Sequence, residues 1–267
     1  MRKTMIGCML LTMSLLAVPV FADETEAVPD NMVTTDLEKG VLTIRIEESD
    51  EKKEQDPGFW WESYQGDKGD ASFVELITQS TDEDGYAYAG SFRAIDDGED
   101  TIRLVHTNGH YIKEYLDFNV AAENGEIKET TGGGQAFETK AEDLAPILEG
   151  VWDEMDGTNV LEITKAPEDG LRFVISNTGG RNGMTTFYTM TAYYDAVEGA
   201  LVYWDGTEET AAIEAEGETE ADQAETESAG EGTGLFALEP QEDDSIGILW
   251  KDDTFGNYDV NMFVKAE

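Results

Sequence analysis

Cysteine is almost absent from this sequence, since Cys8 is the only one among 267 residues. It lies in the segment 1–22, where Arg2 and Lys3 precede an apolar run and Val20-Phe21-Ala22 offers a cleavage site. This is the pattern of a secretory signal peptide. We therefore expect a secreted protein, extracellular or in the cell envelope, whose mature chain has no disulfide and folds by apolar burial. Acylation of Cys8 is the less favoured alternative, because the apolar run follows this cysteine instead of preceding it.

Basic residues are also scarce. The chain has 17 Lys and Arg against 59 Asp and Glu, a formal net charge of -42. Such a charge repels nucleic acid and anionic membrane surfaces, so we expect neither as a partner. It keeps an exported protein soluble and attracts basic surfaces or divalent cations. The apolar run of the signal is shorter than the ~20 residues of a spanning helix, and no later segment is apolar enough, so no membrane insertion is expected after cleavage.

Residue types that support nucleophilic catalysis are nearly missing from the predicted mature chain. Its only histidines are His106 and His110, which fall in one predicted hairpin, and no G-x-S-x-G motif accompanies them. Carboxylates are so abundant that a close pair of them carries no information about glycosidase chemistry. We therefore expect a protein that is not an enzyme and has no cofactor, with both histidines on an exposed turn.

Clustered acids occur at 82–85 and 96–100, where calcium could bind to oxygen ligands. Neither cluster fits the twelve-residue EF-hand pattern, and the two histidines have no spacing typical of a zinc site. We interpret the clusters as solvated hairpin tips and predict no metal.

The longest β signal runs from Gly85 to Val120, with hairpin turns at Asp96-Asp97-Gly98 and Asn108-Gly109. Further strand-like runs at 41–46, 59–64 and 73–78 precede it. About six or seven short strands in this spacing are typical of a β-sandwich. We place this domain at 36–122, after a disordered acidic lead-in at 23–35.

The second half begins after a Gly-rich and charged stretch at 123–146, which predicts a linker with one or two helical turns near its end. Strand-like runs joined by hairpin turns then fill 147–267, which predicts an antiparallel meander closing into a small barrel or a sandwich. Residues 208–232 have almost no apolar bulk and predict a disordered acidic loop at a hairpin tip. The predicted fold class is therefore all-β.

Three consecutive aromatic residues, Phe59-Trp60-Trp61, begin one of the predicted strands. Because side chains alternate along a strand, Trp60 faces away from its two neighbours. Packing of Trp60 against the linker or second domain, and a binding role for it, both stay open.

The first domain resembles the chagasin family of cysteine-protease inhibitors, immunoglobulin-like β-sandwiches that present three loops at one end. Gly58, Phe59 and Trp61 match the Gly-aromatic-x-Trp that ends the family's first loop. The later strands supply, in order, Gly85, Tyr86, Tyr88, Phe92, Ala94, Gly98, Ile102 and Leu104, followed by a terminal strand at 115–120. The resemblance covers about a third of the chain and implies an immunoglobulin-like fold for it.

The same resemblance implies a secreted inhibitor whose loops enter the active-site cleft of a papain-like cysteine protease. The contact residues it implies are Asp56, Pro57, Gly58, Phe59, Trp60, Asp84, Gly85, His106, Asn108, Gly109 and His110. The family's Asn-Pro-Thr-Thr and Arg-Pro-Trp loop sequences are replaced here by Glu54-Gln55-Asp56-Pro57 and His106-Thr107-Asn108-Gly109. The alternative is therefore a non-catalytic extracellular binding or structural module.

The second domain resembles lipocalin-like barrels, through the Gly-x-Trp of Gly150 and Trp152 and the strand at Trp250. Such barrels often bind apolar ligands in their mouths. The alternative is an interior filled by the barrel's own side chains, since ~8 strands can just fill it.

Overall fold

The computed structural model describes residues 31–64, 72–82, 84, 86–133, 137–138, 141–155, 157–167, 170–178, 184–212, 229–241, 245–252, 254 and 261–266. The predicted signal peptide, residues 23–30 of the predicted lead-in and Gly85 lie outside these ranges. Within the described residues the fold class is all-β, as the sequence predicts, and two short helices accompany the strands.

The first half is a sandwich of two antiparallel sheets. One sheet has the order β1-β2-β5-β4 and contains β1 (Asn31–Glu38), β2 (Val41–Glu48), β5 (Ala87–Ala94) and β4 (Val74–Thr81). The other has the order β3-β6-β7-β8 and contains β3 (Trp60–Ser63), β6 (Gly98–Thr107), β7 (Ile112–Glu123) and β8 (Glu126–Gly132). A two-residue strand, β9 (Phe137–Glu138), also pairs with β7. With β1 to β7 read as A to G, these orders are the ABED and CFG sheets of an immunoglobulin-like domain, so the predicted sandwich is confirmed.

Alternation of side chains explains why these segments are strands. In β2, Leu42, Ile44 and Ile46 are buried, while Arg45 between them points to solvent. Trp61 on β3 is completely buried in the same core, the place where immunoglobulin-like domains carry a core tryptophan on strand C.

Two boundaries of the sandwich differ from the sequence prediction. Asn124 (φ 56°) and Gly125 (φ 71°) both have the positive φ of a two-residue hairpin turn, so the predicted linker at 123–146 instead begins with β8, paired to β7. Residues 31–35 of the predicted disordered lead-in belong to β1, which pairs with β2 along its whole length. Most side chains of β1 are exposed, so this edge strand is held by backbone hydrogen bonds that a search for apolar patterns does not detect.

The second half is a closed antiparallel barrel of eight strands in sequential order. The strands are β10 (Gly150–Glu154), β11 (Asn159–Lys165), β12 (Leu171–Asn177), β13 (Met184–Asp195), β14 (Ala200–Ala212), β15 (Ala229–Pro240), β16 (Ile246–Asp252) and β17 (Asn261–Lys265). Pairing of β10 with β17 closes the ring, with Trp152 opposite Lys265. The sequence predicted either a small barrel or a sandwich for this half, and the structure shows a barrel. Strands β14 and β15 also extend into both ends of the predicted acidic loop, whose residues 213–228 lie outside the described ranges.

The interior of the barrel is filled by the barrel's own side chains. Of the two alternatives that the sequence offered, this is the filled interior and not the open ligand cavity. Trp152, Phe173, Phe236, Trp250 and Phe263 belong to one core and are at most 1% exposed. Helix α2 (Ala141–Leu148) adds Ala145 and Leu148 to this core, and the Trp152 indole N–H donates to the Leu148 carbonyl at 2.8 Å.

Three polar side chains in the barrel core, those of Tyr203, Trp250 and Asp252, are paired with one another. The Tyr203 hydroxyl donates to Asp252 Oδ2 at 2.7 Å and accepts from the Trp250 indole N–H at 3.0 Å. Neither described helix is long and apolar enough to cross a membrane.

Candidate functional site at the junction of the two domains

Three connections of the sandwich meet at one end, which we call the loop end: segment 49–59, the described residues of 82–86, and segment 108–111. His106 on β6 contacts Glu48 at the end of β2, which brings the two sheets together here. The Glu48 N–H donates to the Tyr86 carbonyl at 3.2 Å, which brings in the β4–β5 connection. Trp60 pairs with Thr107, which places the start of β3 beside the β6–β7 turn.

Segment 49–59 contains the short helix α1 (Asp50–Gln55). Ser49 caps it by accepting the Lys52 N–H at 3.2 Å, and two acids occupy its first turn. One side of this helix is buried, because Lys52 and Asp56 are only 5% and 4% exposed. The helix therefore brings charged side chains into the sandwich, next to the end of β6.

The β6–β7 turn is held by its own side chains. Asn108 Oδ1 accepts the N–H groups of His110 at 3.0 Å and Tyr111 at 3.2 Å, and Gly109 has the positive φ of +84° expected for this hairpin. The backbone of Gly109 lies against the Trp60 ring, because a Cβ there would be 3.2 Å from it. Trp60 thus covers the turn on the outer face of the sandwich and donates from its indole N–H to Glu62.

This turn also joins the sandwich to the outer face of the barrel. His110 stacks on Trp204 with ring centres 4.5 Å apart, and Tyr111 stacks on Tyr193 at 5.1 Å. Both barrel residues point outward. Asp195 fixes the same junction, since its Oδ2 accepts the N–H of Ile112, the first residue of β7, at 2.9 Å.

A cleft of about 360 Å³ lies at this junction, and we call it the junction cleft. Its walls come from segment 49–59, the β6–β7 turn and the barrel: Glu54, Gln55, Asp56, Pro57, Phe59, Asn108, Tyr111, Lys113, Tyr193 and Trp204. Four of these residues are aromatic, and three others are charged, two of them carboxylates and one an ammonium group. A second hollow of about 410 Å³ lies on the outer face of β6, β7 and β8 and has no aromatic residue in its lining. The junction cleft is therefore the better candidate for a binding site.

A largely buried group of six charged side chains extends inward from the cleft, with Asp56 and Lys113 in its lining. We call this group the ionic cluster: Glu48, Lys52, Asp56, His106, Lys113 and Glu114. His106 Nε2 is 2.8 Å from Glu48, and its Nδ1 is 3.0 Å from Glu114. The Lys52 ammonium contacts Glu114 and lies 3.7 Å from Asp56, which also contacts Lys113. The Lys113 side chain is 15% exposed and the others at most 6%.

Aromatic rings enclose His106 within this cluster. The ring is stacked on Trp61 at 5.0 Å and lies 5.2 Å from Phe59. Its nitrogens lie at ion-pair distance from both carboxylates, whereas their N–H directions are not aligned as in good hydrogen bonds, so we describe the contacts as ion pairs.

Opposite charges favour the ionised forms of His106 and Glu114 despite their burial. Burial lowers the pKa of His106, but the contacts with Glu114 and Glu48 outweigh it, and the pKa is raised from its ordinary 6.5. Burial raises the pKa of Glu114, but His106 and Lys52 outweigh it, and the pKa is lowered. With His106 protonated, three positive charges face three negative ones, and the cluster is neutral.

Three members of the cluster, Asp56, His106 and Glu114, place ligand-type atoms within 4.8 Å of one another. The Lys52 ammonium already lies against both carboxylates and supplies the positive charge that a metal would bring. Both nitrogens of His106 face carboxylates. The three residues that could hold a metal are thus already paired, with one another or with Glu48 and lysine side chains, in an ion-pair cluster.

The predicted contact residues fall into exposed and buried groups. Pro57, Gly58, Asp84, Gly109 and His110 are exposed; Phe59, Trp60 and Asn108 are half-buried; Asp56 is buried. The prediction that His106 lies on an exposed turn is wrong, because β6 continues to Thr107 and directs the His106 ring inward with no exposed surface.

Sequence reasoning missed Glu48, Lys52, Lys113, Glu114, Tyr193 and Trp204 as members of the site. For two of them a signal was present. Glu48 continues the inward series of Leu42, Ile44 and Ile46 at a spacing of two, and Glu114 begins the inward series of Leu116 and Phe118. A charged residue at an inward position of a strand needs a buried partner, so it marks a cluster of this kind.

No family model matches the chain, and comparisons with curated proteins and with solved structures gave no match either. The resemblances to chagasin-like and lipocalin-like proteins therefore stay predictions from the sequence.

Proposed function

We propose that this chain is a non-catalytic binding protein that receives a basic segment of a partner protein in the junction cleft. One observation carries the proposal: two of the three predicted loop segments and two outward aromatic residues of the barrel line the same cleft. Concave sites with apolar walls and a few convergent polar groups are the usual form of a binding site.

The chemistry of the lining favours a cationic group. Phe59, Tyr193 and Trp204 are half-buried aromatic rings, and rings of this kind attract lysine and arginine side chains. Lys113 is already paired with Asp56, so the exposed carboxylate of Glu54 is the charge that meets a ligand. The net charge of -42 also steers a basic partner toward the protein.

A non-catalytic role is supported by the position of the titratable groups. His106, Glu48 and Glu114 lie beneath the cleft and are at most 3% exposed. A ligand in the cleft meets Phe59 and Tyr111 before it reaches them. These three groups therefore lie behind the walls of the cleft, out of contact with a bound ligand.

A displayed library of random peptides, selected on the full chain, tests this proposal. We expect selected peptides to be rich in lysine and arginine, and their affinity to fall with added salt. Glu54→Gln is expected to weaken them about two- to fivefold, because loss of an exposed ion pair costs about 0.5–1 kcal/mol. Trp60→Ala is the matched control, since Trp60 lies at the loop end outside the lining of the cleft. Peptides without basic residues, or binding that Glu54→Gln leaves unchanged, would contradict the proposal.

Inhibition of a papain-like cysteine protease is the second candidate, favoured by the finding that three connections lie at one end of the sandwich. Pro57, Gly58 and Gly109 are exposed there. His110 is stacked on Trp204, so a protease that receives these loops must also accommodate the adjoining barrel face.

Titration of the full chain against papain tests this second candidate. Nanomolar inhibition that is lost in Phe59→Ala and in Trp60→Ala supports it, and absence of inhibition at micromolar concentration excludes it. Trp60→Ala separates the two candidates, because Trp60 is not itself part of the lining of the junction cleft.

A further inference from the structure

We propose that the ionic cluster regulates the loop end by pH: a proton on His106 holds segment 56–59 against the β6–β7 turn, and loss of that proton loosens the contact between sandwich and barrel. This inference rests on the proposed function for its purpose, because segment 56–59 forms one wall of the junction cleft. Its structural content, a coupling between His106 and the barrel face, is testable without any partner.

His106 is suited to this role because histidine is the side chain whose charge ordinarily changes near neutral pH. The charged groups that face it come from three elements. Glu48 belongs to β2, Lys52 and Asp56 belong to α1 and its end, and Lys113 and Glu114 belong to β7. Each of these groups has an opposite charge close by.

Loss of the proton changes the balance of the cluster. Two ammonium groups then face three carboxylates, which leaves one negative charge uncompensated in a buried site. A buried charge without a partner is strongly unfavourable, so the carboxylates must separate or take up water. The net upward displacement of the His106 pKa puts this change above pH 6.5.

Segment 56–59 is the part of the cluster best placed to respond. Asp56 reaches the cluster from the end of a helix of only six residues. Phe59 lies 5.2 Å from the His106 ring on one side and 5.4 Å from Tyr111 on the other. Tyr111 stacks in turn on Tyr193, and Trp204 lies 5.0 Å from Tyr193. A displacement of Phe59 therefore reaches the barrel face through ring contacts alone.

The experiment uses the full chain labelled with 5-fluorotryptophan, with the Trp204 resonance assigned from Trp204→Phe. The sequence has two histidines, so His110→Gln removes the ring that stacks on Trp204 and leaves His106 as the only histidine. The charge of His106 is followed by nitrogen NMR of its ring, and the Trp204 resonance by fluorine NMR, between pH 5.5 and 9.

In His110→Gln we expect both signals to titrate together, with a midpoint above pH 6.5. The double variant His106→Gln/His110→Gln is expected to lose the movement of Trp204. Glu48→Gln in the His110→Gln background keeps the histidine and is expected to lower both midpoints in parallel, by about one pH unit or more. This variant provides the test if the double variant does not fold.

Three results would overturn the proposal: a His106 ring that stays protonated to pH 9, a His106 titration without movement of Trp204, or the same movement of Trp204 in the double variant. None of them depends on finding a ligand. Failure of the peptide selection would therefore reject the proposed binding function and leave the pH coupling standing. Failure of the NMR titration would reject the pH coupling and leave the proposed binding function standing.

Discussion

Replacement of Lys52 by methionine tests whether the ionic cluster stabilises the sandwich. The change keeps most of the side-chain volume and removes an ammonium that contacts Glu114 and lies 3.7 Å from Asp56. Asp56 keeps Lys113 as a partner and Glu114 keeps His106, so one negative charge is left uncompensated. Removal of one member of a buried pair costs about 3–5 kcal/mol, and we expect a loss near the lower bound, about 3 kcal/mol.

Denaturant unfolding of the full chain, monitored by tryptophan fluorescence, measures this loss of free energy. Thermal unfolding in a calorimeter separates the transitions of the two domains. For a domain of this size about 3 kcal/mol lowers Tm by more than ~10 °C. Arg93→Met is the matched control, because its ion pair with Glu75 is exposed (60% and 40%) and such pairs contribute about 0–1 kcal/mol. The double variant Lys52→Met/Glu114→Gln restores the charge balance and is expected to recover part of the loss. If Lys52→Met destabilises the sandwich no more than Arg93→Met does, the electrostatic account of the cluster is refuted.

Three further predictions concern pH, the barrel and the loop end. The raised pKa of His106 gives stability that is complete below pH 6.5 and is lost as pH rises through the pKa of the folded state. The lowered pKa of Glu114 gives stability that is present above pH 4.5 and is lost as pH falls through the pKa of the folded state. The Tm of the sandwich, measured against pH, should therefore fall at both extremes. Phe173→Ala removes a completely buried ring from the barrel and is expected to cost about 3–5 kcal/mol in the barrel's calorimetric transition, with the sandwich transition unmoved; a shift of the sandwich alone would contradict the domain assignment. Gly109→Ala introduces a Cβ at a φ of +84° against the Trp60 ring and is expected to destabilise the sandwich by about 1–2 kcal/mol in denaturant unfolding, and an unchanged midpoint would show that the turn is free to rearrange.

Much of the architecture could be predicted from the sequence, because alternation and turn residues are local signals. The barrel strands lie within 147–267, where the sequence predicts an antiparallel meander, and the Asn108-Gly109 turn has the expected conformation. Strand β1 was missed since its pairing depends on backbone groups, and β8 since its composition resembles a linker. In both cases the neighbouring strand supplies the hydrogen bonds that define the element.

The candidate site was predictable only in part. The chagasin-like resemblance placed Asp56, Pro57 and Phe59 in a contact loop, and these three residues do line the junction cleft. The contribution of Tyr193 and Trp204 depends on how two domains pack, which no local pattern encodes. The burial of His106 depends on Glu48 and Glu114, which lie far from it in sequence or on another strand.

Closure of the barrel through β10 and β17 has a consequence for the order of folding. Every hydrogen-bonded pair of the sandwich up to β8 lies within residues 31–132, whereas the barrel must wait until 261–265 has left the ribosome. Domains generally fold as units, beginning with the N-terminal one. The β6–β7 turn therefore exists for a time without Tyr193 and Trp204 beside it. Nascent chains halted before β17 should expose Tyr111 to proteases, and completion of the barrel should protect it.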